Sequence, residues 1–260
     1  MFQQAADLEQ EGVELKDLLE RLSPEDWVRQ TPFKSWTVDQ VVQHLHGADR
    51  LATLALCKPA EFAAIKANPR AVDQIMNPAQ QGVDLLNAWW SCFSDLCKVL
   101  GVSDPGGRVP WFGPDMGVIM FATARQMEIW AHGQDVFDML GQTRTNTARL
   151  KNIVEIGVRT YGWTFSNRGL DKPGPAPYVR LTAPDGSTWE YNEPQDSNMV
   201  AGDAAEFCHV VTQGRNIKDV NLVVVGQPAA AWMAIAQCFA GPPEDPPAPG
   251  SRLVHFDISS

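Results

Sequence analysis

Apolar residues recur at helical spacing through most of the first 166 positions and then give way to alternation. Leu8, Leu15, Leu18, Leu19 and Leu22 mark one amphipathic helix near the start. Ser23-Pro24-Glu25-Asp26 supplies an N-cap, a proline at the first position and acids in the first turn, so a short helix is expected there. Trp36-Thr37-Val38-Asp39-Gln40 opens a second long helix that runs to about Leu56. Thr37 with Gln40 fits a capping box, and Trp36 before the cap fits a hydrophobic staple. A third helix spans about 79–100, with Val83, Leu86, Trp89, Trp90, Phe93, Leu96 and Leu100 inward. The loop Asp104-Pro105-Gly106-Gly107-Arg108-Val109-Pro110 breaks it, and a fourth helix runs from about Pro114 to Leu140, ending at Gly141. Four long helices with modest connections predict a mainly α architecture, a four-helix bundle. A further helix over about 146–166 follows.

The pattern changes near Asn167-Arg168-Gly169-Leu170-Asp171-Lys172-Pro173-Gly174-Pro175, which sets the expected domains at 1–168 and 169–260. Tyr178–Thr182 and Ser187–Tyr191 alternate at period two around Pro184-Asp185-Gly186 and predict a hairpin. Gly202-Asp203 begins a helix that stops at Gly214, Leu222–Val225 reads as a strand, and Pro228 starts an Ala-rich helix closing at Gly241. The second domain is therefore expected to be a small α+β unit with an irregular Pro-rich tail.

Composition narrows the function. The formal net charge of -10 argues against sequence-independent nucleic-acid binding and against docking on anionic membranes. No apolar run is long enough for a transmembrane helix, and the acidic start lacks the features of a signal peptide. Five cysteines stand at 57, 92, 97, 208 and 238 with no Cys-x-x-Cys, so a reduced, cytoplasmic protein without disulfides is expected.

The candidate chemistry lies on the fourth helix. Glu128, His132 and Asp135 are spaced i, i+4, i+7 and fall within roughly 60° of one another at about 3.6 residues per turn. They share a stripe with Phe121, Ala124, Ala131 and Met139, so the spacing puts three ionisable groups on a face that a helix ordinarily buries. A Glu and a His one turn apart can both reach one divalent ion, with Asp135 orienting the His132 imidazole. The facing helix offers His44 and His46. His44 falls about 60° from Val41, inside the buried arc, whereas His46 falls about 140° away, toward its margin. His44 is thus the expected ligand, and His46 a pocket or surface residue. The same spacing also suits a purely structural set, in which Glu128 pairs with Arg125 and His132 hydrogen-bonds inside the core. Trp111 precedes the helix and is a candidate pocket residue. Trp89-Trp90 reads as core, and His209 and His255 as surface or satisfied polar residues.

Trp36-Thr37-Val38-Asp39-Gln40-Val41-Val42-Gln43-His44-Leu45-His46-Gly47-Ala48-Asp49 resembles the W-T-V-x-x-V-x-x-H-L-x-G-x-D segment of DinB-like metalloproteins. With E-x-x-x-H-x-x-D at Glu128, His132 and Asp135, the chain resembles the mycothiol-dependent maleylpyruvate isomerase branch more narrowly. Its overall layout is also similar to a metal-binding sub-branch, some members of which carry a wyosine-base-formation label. The resemblance implies one divalent metal held by His44, Glu128 and His132, zinc foremost, with nickel, manganese and iron also compatible with such ligands. It implies a sterol-carrier-like fold for the second domain. It also makes Arg215, after Gly214, a catalytic-site residue that binds a substrate carboxylate.

The expected function is activation of a low-molecular-weight thiol, such as mycothiol, for transfer to a small electrophilic anionic substrate or for its cis–trans isomerisation. Metal-dependent hydrolysis and a non-catalytic metal-stabilised binding module are the alternatives. A small molecule is the expected partner, and the oligomeric state is open, a homodimer among the options.

Overall fold

The computed structural model describes residues 1–252 and divides into two compact units, Met1–Leu140 and Gly141–Ser260. The first contains α1 (Gln3–Leu19), a 3-10 turn (Asp26–Val28), α2 (Val38–Cys57), α3 (Pro59–Lys66), α4 (Pro69–Met76) and α5 (Gly82–Val102). A two-stranded hairpin, β1 (Arg108–Val109) and β2 (Met116–Gly117), then leads into α6 (Val118–Leu140). The four long helices, α1, α2, α5 and α6, form the bundle: α1 packs on α5 and α6, and α2 packs on the same two. Their shared core includes Leu8, Leu15, Leu45, Leu51, Trp89, Phe93 and Phe121. Among the described residues no helix is long and apolar enough to cross a membrane.

The cap on α2 forms as its sequence predicts. The Thr37 side chain accepts from the Gln40 backbone N–H, and the Thr37 N–H donates to the Gln40 side chain at 2.9 Å. This box sets where the helix begins, and therefore where His44 falls on it. The 57–78 stretch lacks long periodicity yet folds as two short helices, each with proline in its first turn. The second of them lies against Gly47: a Cβ there would sit 2.7 Å from the Met76 Cα, so α2 carries a glycine where α4 approaches.

Three expectations in this unit change. Val83 is largely exposed, and Leu85 takes its place in the core. The 108–117 segment is a hairpin, and α6 starts four residues later than predicted because Val109 pairs with Met116. The Gly107 carbonyl then accepts from the Val118 N–H at 3.0 Å.

The second unit contains α7 (Leu150–Arg159), α8 (Tyr161–Ser166), β3 (Tyr178–Thr182), β4 (Thr188–Tyr191), β5 (Met199–Asp203), α9 (Ala204–Val211), a 3-10 turn (Ile217–Asp219), β6 (Val223–Val225) and α10 (Gln227–Met233). The sheet order is β4-β3-β5-β6. The predicted hairpin forms with Leu181 opposite Trp189, while β5, absent from the sequence reading, runs parallel to β3. Asp203 still caps the following helix, accepting from the Ala205 and Glu206 N–H groups.

Two predicted helices are shorter or divided. The 146–166 helix breaks at Thr160, whose hydroxyl donates to the Ile156 and Gly157 carbonyls at 2.7 and 2.9 Å. The final helix stops at Met233, because the Gln237 and Cys238 N–H groups donate to Thr164 Oγ1 and to the Val211 carbonyl instead. The expected boundary at 168/169 also moves: α7 packs on α9, so the helices of 150–166 belong with the sheet.

Replacing Thr37 with Ala removes one half of the capping box at the start of α2. A loss of about 1 kcal/mol is expected, read as a lower urea midpoint with an unchanged slope.

Candidate metal centre

His44 comes from the middle of α2, and Glu128 and His132 from successive turns of α6. One ligand atom from each lies within 4.8 Å of the other two. His44 Nε2 stands 3.3 Å from Glu128 Oε2, and His132 Nε2 stands 3.6 Å from the same oxygen. Donors bound tetrahedrally at about 2.0–2.1 Å from a small cation lie about 3.3–3.4 Å apart, close to these two separations from Glu128.

The second imidazole nitrogen decides the tautomer of His132. Its Nδ1 is 3.2 Å from Asp135 Oδ2. Donation of Nδ1–H to that carboxylate leaves the Nε2 lone pair pointing at Glu128. A lone pair and a carboxylate oxygen facing each other repel unless a proton or a cation lies between them.

Electrostatics favour the forms that ligate. Burial on its own would raise the Glu128 pKa, but the His44 hydrogen bond and the Arg125 charge, joined by the two imidazoles when protonated, hold it down at about 2. Burial lowers the His44 pKa, against the pull of Glu128 and with help from His132 and Arg125, which favours neutral imidazole. Asp49, one turn along α2, is pushed up to about 6 by burial, opposed by the Arg125 charge and the Trp89 hydrogen bond.

A strained turn forms the rim of the site. Gln30 and Thr37 close a short bridge, and the Trp36 N–H donates to the Phe33 carbonyl at 2.8 Å. Lys34 and Ser35 between them have φ of 49° and 56°, a left-handed pair that non-glycine residues rarely adopt. The turn brings Phe33 and Trp36 edge to face at 4.9 Å. Trp36 stacks on His132 at 6.0 Å and lies 5.5 Å from His44, and Phe33 meets the His132 edge at 4.9 Å. Arg29 anchors the approach to this turn by donating to the Met139 carbonyl at the end of α6. Neither aromatic was foreseen as a site residue. The available signal was the placement of Trp36 eight residues before His44.

The predicted buried stripe holds in part: Phe121, His132 and Asp135 are buried. Glu128, Ala124 and Ala131 form the half-exposed seam of a helix buried almost all round. His44 is likewise 27% exposed at its side chain and Glu128 21%, as suits donors at an open site. His46, expected at the margin, is buried with only 7% exposure, lies outside the cluster, and has an Nδ1 with no hydrogen-bond partner among the described residues. Burial, then the Arg50 charge, lowers its pKa to about 4. Trp111 stacks on Phe62 at 5.6 Å and reaches the ligand helix through Arg125, which lies 5.7 Å over its ring.

Residues 8–137 match the model of the mycothiol maleylpyruvate isomerase N-terminal domain. The chain belongs to that family. Two uncharacterized proteins of Mycobacterium tuberculosis, from different strains, are each 38% identical to it over 245 residues, 92% of this chain and 95% of theirs. The crystal structure of the mycothiol-dependent maleylpyruvate isomerase shares the fold, with a TM-score of 0.55 at 14% identity over 80% of this chain and 86% of that one. A histidine-to-alanine mutant of that isomerase gives a TM-score of 0.52 over the same shares. The bundle that bears the family match therefore also bears the cluster.

Beyond the family domain, Arg215 lies in the second unit. Its N–H donates to the His209 carbonyl at 3.1 Å and its Nη1 to the Gly214 carbonyl at 2.8 Å. Burial, with the charges of Arg215 and Arg144, lowers the His209 pKa to about 3. His255 lies outside the described residues. No disulfide joins the five cysteines, and none of them is part of the cluster.

His209 supplies a pH test. Its folded pKa is below the unfolded value of about 6.5, so its contribution to stability is full above that value. The contribution is lost as pH falls from 6.5 toward 3. Thermal unfolding of wild type and His209→Asn across this window should show a difference in melting temperature that narrows as pH falls.

Proposed function

We propose that this chain is a divalent-metal-dependent enzyme in which His44, Glu128 and His132 are the ligands and zinc is the leading ion, with nickel, manganese or iron as other candidates. The observation that carries this reading is the convergence of three donor atoms within 4.8 Å of one another, two of them on half-buried side chains and one on the buried His132. A divalent ion in this set supplies Lewis acidity and lowers the pKa of a thiol or water brought to it. Two imidazoles and one carboxylate leave room for such a molecule, as catalytic sites of this kind do.

The protein's own groups prepare the site. Asp135 holds the His132 tautomer, Trp36 covers one face of the His132 ring, and Phe33 packs against the same imidazole edge to face. The favoured reaction uses a low-molecular-weight thiol, mycothiol by family, on a small electrophilic anionic substrate. Its thiolate adds to a conjugated double bond, the former double bond rotates as a single bond, and expulsion of the thiolate restores the alkene in the trans form. Transfer results if the adduct is protonated and retained. Arg215 is the proposed partner of the substrate carboxylate, on the resemblance of its Gly-Arg pair alone, with the planar fork suited to that group. A cytoplasmic setting is the reading that five cysteines without a disulfide favour.

Elemental analysis of purified protein should give about one divalent ion per chain. His44→Ala and His132→Ala should each weaken metal binding by about tenfold or more, while His46→Ala keeps near-stoichiometric metal. Wild-type protein that binds no divalent ion, or loses it only on changing His46, would overturn the ligand assignment. Turnover of a cis-unsaturated dicarboxylate should require added mycothiol, whereas hydrolytic turnover without thiol would move the reaction to water. Arg215→Lys should raise KM by about tenfold with metal content unchanged, because an ammonium cannot make the two-pronged contact.

A further inference from the structure

Arg125 is a cation with 6% side-chain exposure immediately beside the cluster, and its Nη1 has no hydrogen-bond partner among the described residues. Two carboxylates from two helices flank it. Nη1 lies 3.9 Å from Asp49 Oδ1 on α2, and Nη2 lies 3.9 Å from Glu128 Oε1 on α6. Both distances exceed a direct hydrogen bond. The guanidinium therefore stands between the two acids without being captured by either. The Trp111 ring supports one face of it at 5.7 Å, and Asp49 is fixed in turn by the Trp89 indole N–H at 3.1 Å.

The two oxygens of Glu128 consequently face different neighbours. Oε2 points to the imidazoles and Oε1 to Arg125. A buried guanidinium released from its counter-charge would close on the nearest remaining carboxylate, because an unpaired buried charge is costly. That carboxylate is Glu128. Direct capture would take from the site the one anionic donor it has.

We infer that Asp49 and Arg125 act as one positioning unit: Asp49 restrains the guanidinium so that it steers Glu128 Oε1, and leaves Oε2 to bind the metal. This rests on the metal reading of the site. Neither residue is a ligand, and both act through Glu128. Asp49→Asn keeps the shape and an acceptor for Trp89 while removing the restraining charge. Arg125→Gln removes the guanidinium, freeing Oε1 to reach the metal as a second oxygen.

The test is Co2+ titration of the full chain, reading affinity by competition with a chromophoric chelator and coordination by the d–d absorption. Asp49→Asn should weaken Co2+ binding by about tenfold or more, and Asp49→Asn combined with Arg125→Gln should recover most of it. A merely structural Asp49 would show no such rescue. Arg125→Gln alone should weaken the d–d bands as the coordination number rises, and this variant stands as the test if Asp49→Asn does not fold. Unchanged affinity in Asp49→Asn, a double variant as weak as Asp49→Asn, or unchanged bands in Arg125→Gln would each overturn the inference while leaving the metal reading intact. Wild-type protein that binds no Co2+ would overturn both.

Discussion

The meeting of α2 and α6 is the constraint on which the site depends. One helix supplies a single imidazole, the other a carboxylate and an imidazole one turn apart, and all three must arrive at one point. Rotating either helix by one residue would move its donors by about 100°. The bundle prevents that rotation through its core: α2 also packs on α5, and α6 on α1. The Thr37 cap fixes the start of α2, while the hairpin at 108–117 fixes the start of α6. Helix ends remote from the donors are thus part of what aligns them.

Convergence also has a cost. Two imidazoles, three carboxylates and a guanidinium gather in one place, and burial alone would raise Glu128 and lower His44. Apolar side chains in the same volume would be easier to bury. The fold tolerates the arrangement because most of these groups have a counterpart: His132 has Asp135, Asp49 has Trp89, and Glu128 has the imidazoles, while the Arg125 guanidinium is held between two acids at 3.9 Å. Ligand binding to the folded state would offset this cost by mass action.

Sequence was most readable where a local rule decides the outcome. The capping box at Thr37, the turn at Asp185-Gly186 and the i, i+4, i+7 stripe are set by neighbours in the chain, and the helices and hairpin they announce are present. It was least readable where distant partners decide. The strand at Met199–Asp203 is short and carries a glycine, and it exists because β3 and β6 pair with it. The last helix ends early because its backbone is claimed by Thr164 and Val211. His44 and His46 show a subtler limit. The periodicity placed both on α2, but their burial is the reverse of the ideal-helix expectation. A single apolar arc cannot describe a helix with α4, α5 and α6 on different sides. The Phe33–Trp36 turn was invisible because nothing in Lys34-Ser35 announces a left-handed pair.

That turn separates two properties of the site that many enzymes combine. The donors sit on helices whose every shift disturbs the core. The aromatic wall belongs to a short closed loop, tied down at Gln30–Thr37 and at the end of α6, with its outermost residues in solvent. Substitutions in the loop can reshape what the imidazoles see without touching the helix packing that holds them. Trp36 opens the W-T-V segment on which the family resemblance rests, so what the loop leaves open to change is Phe33 and the exposed Lys34-Ser35 pair, through which the approach to the imidazoles can be reshaped while the donors stay where the helices hold them.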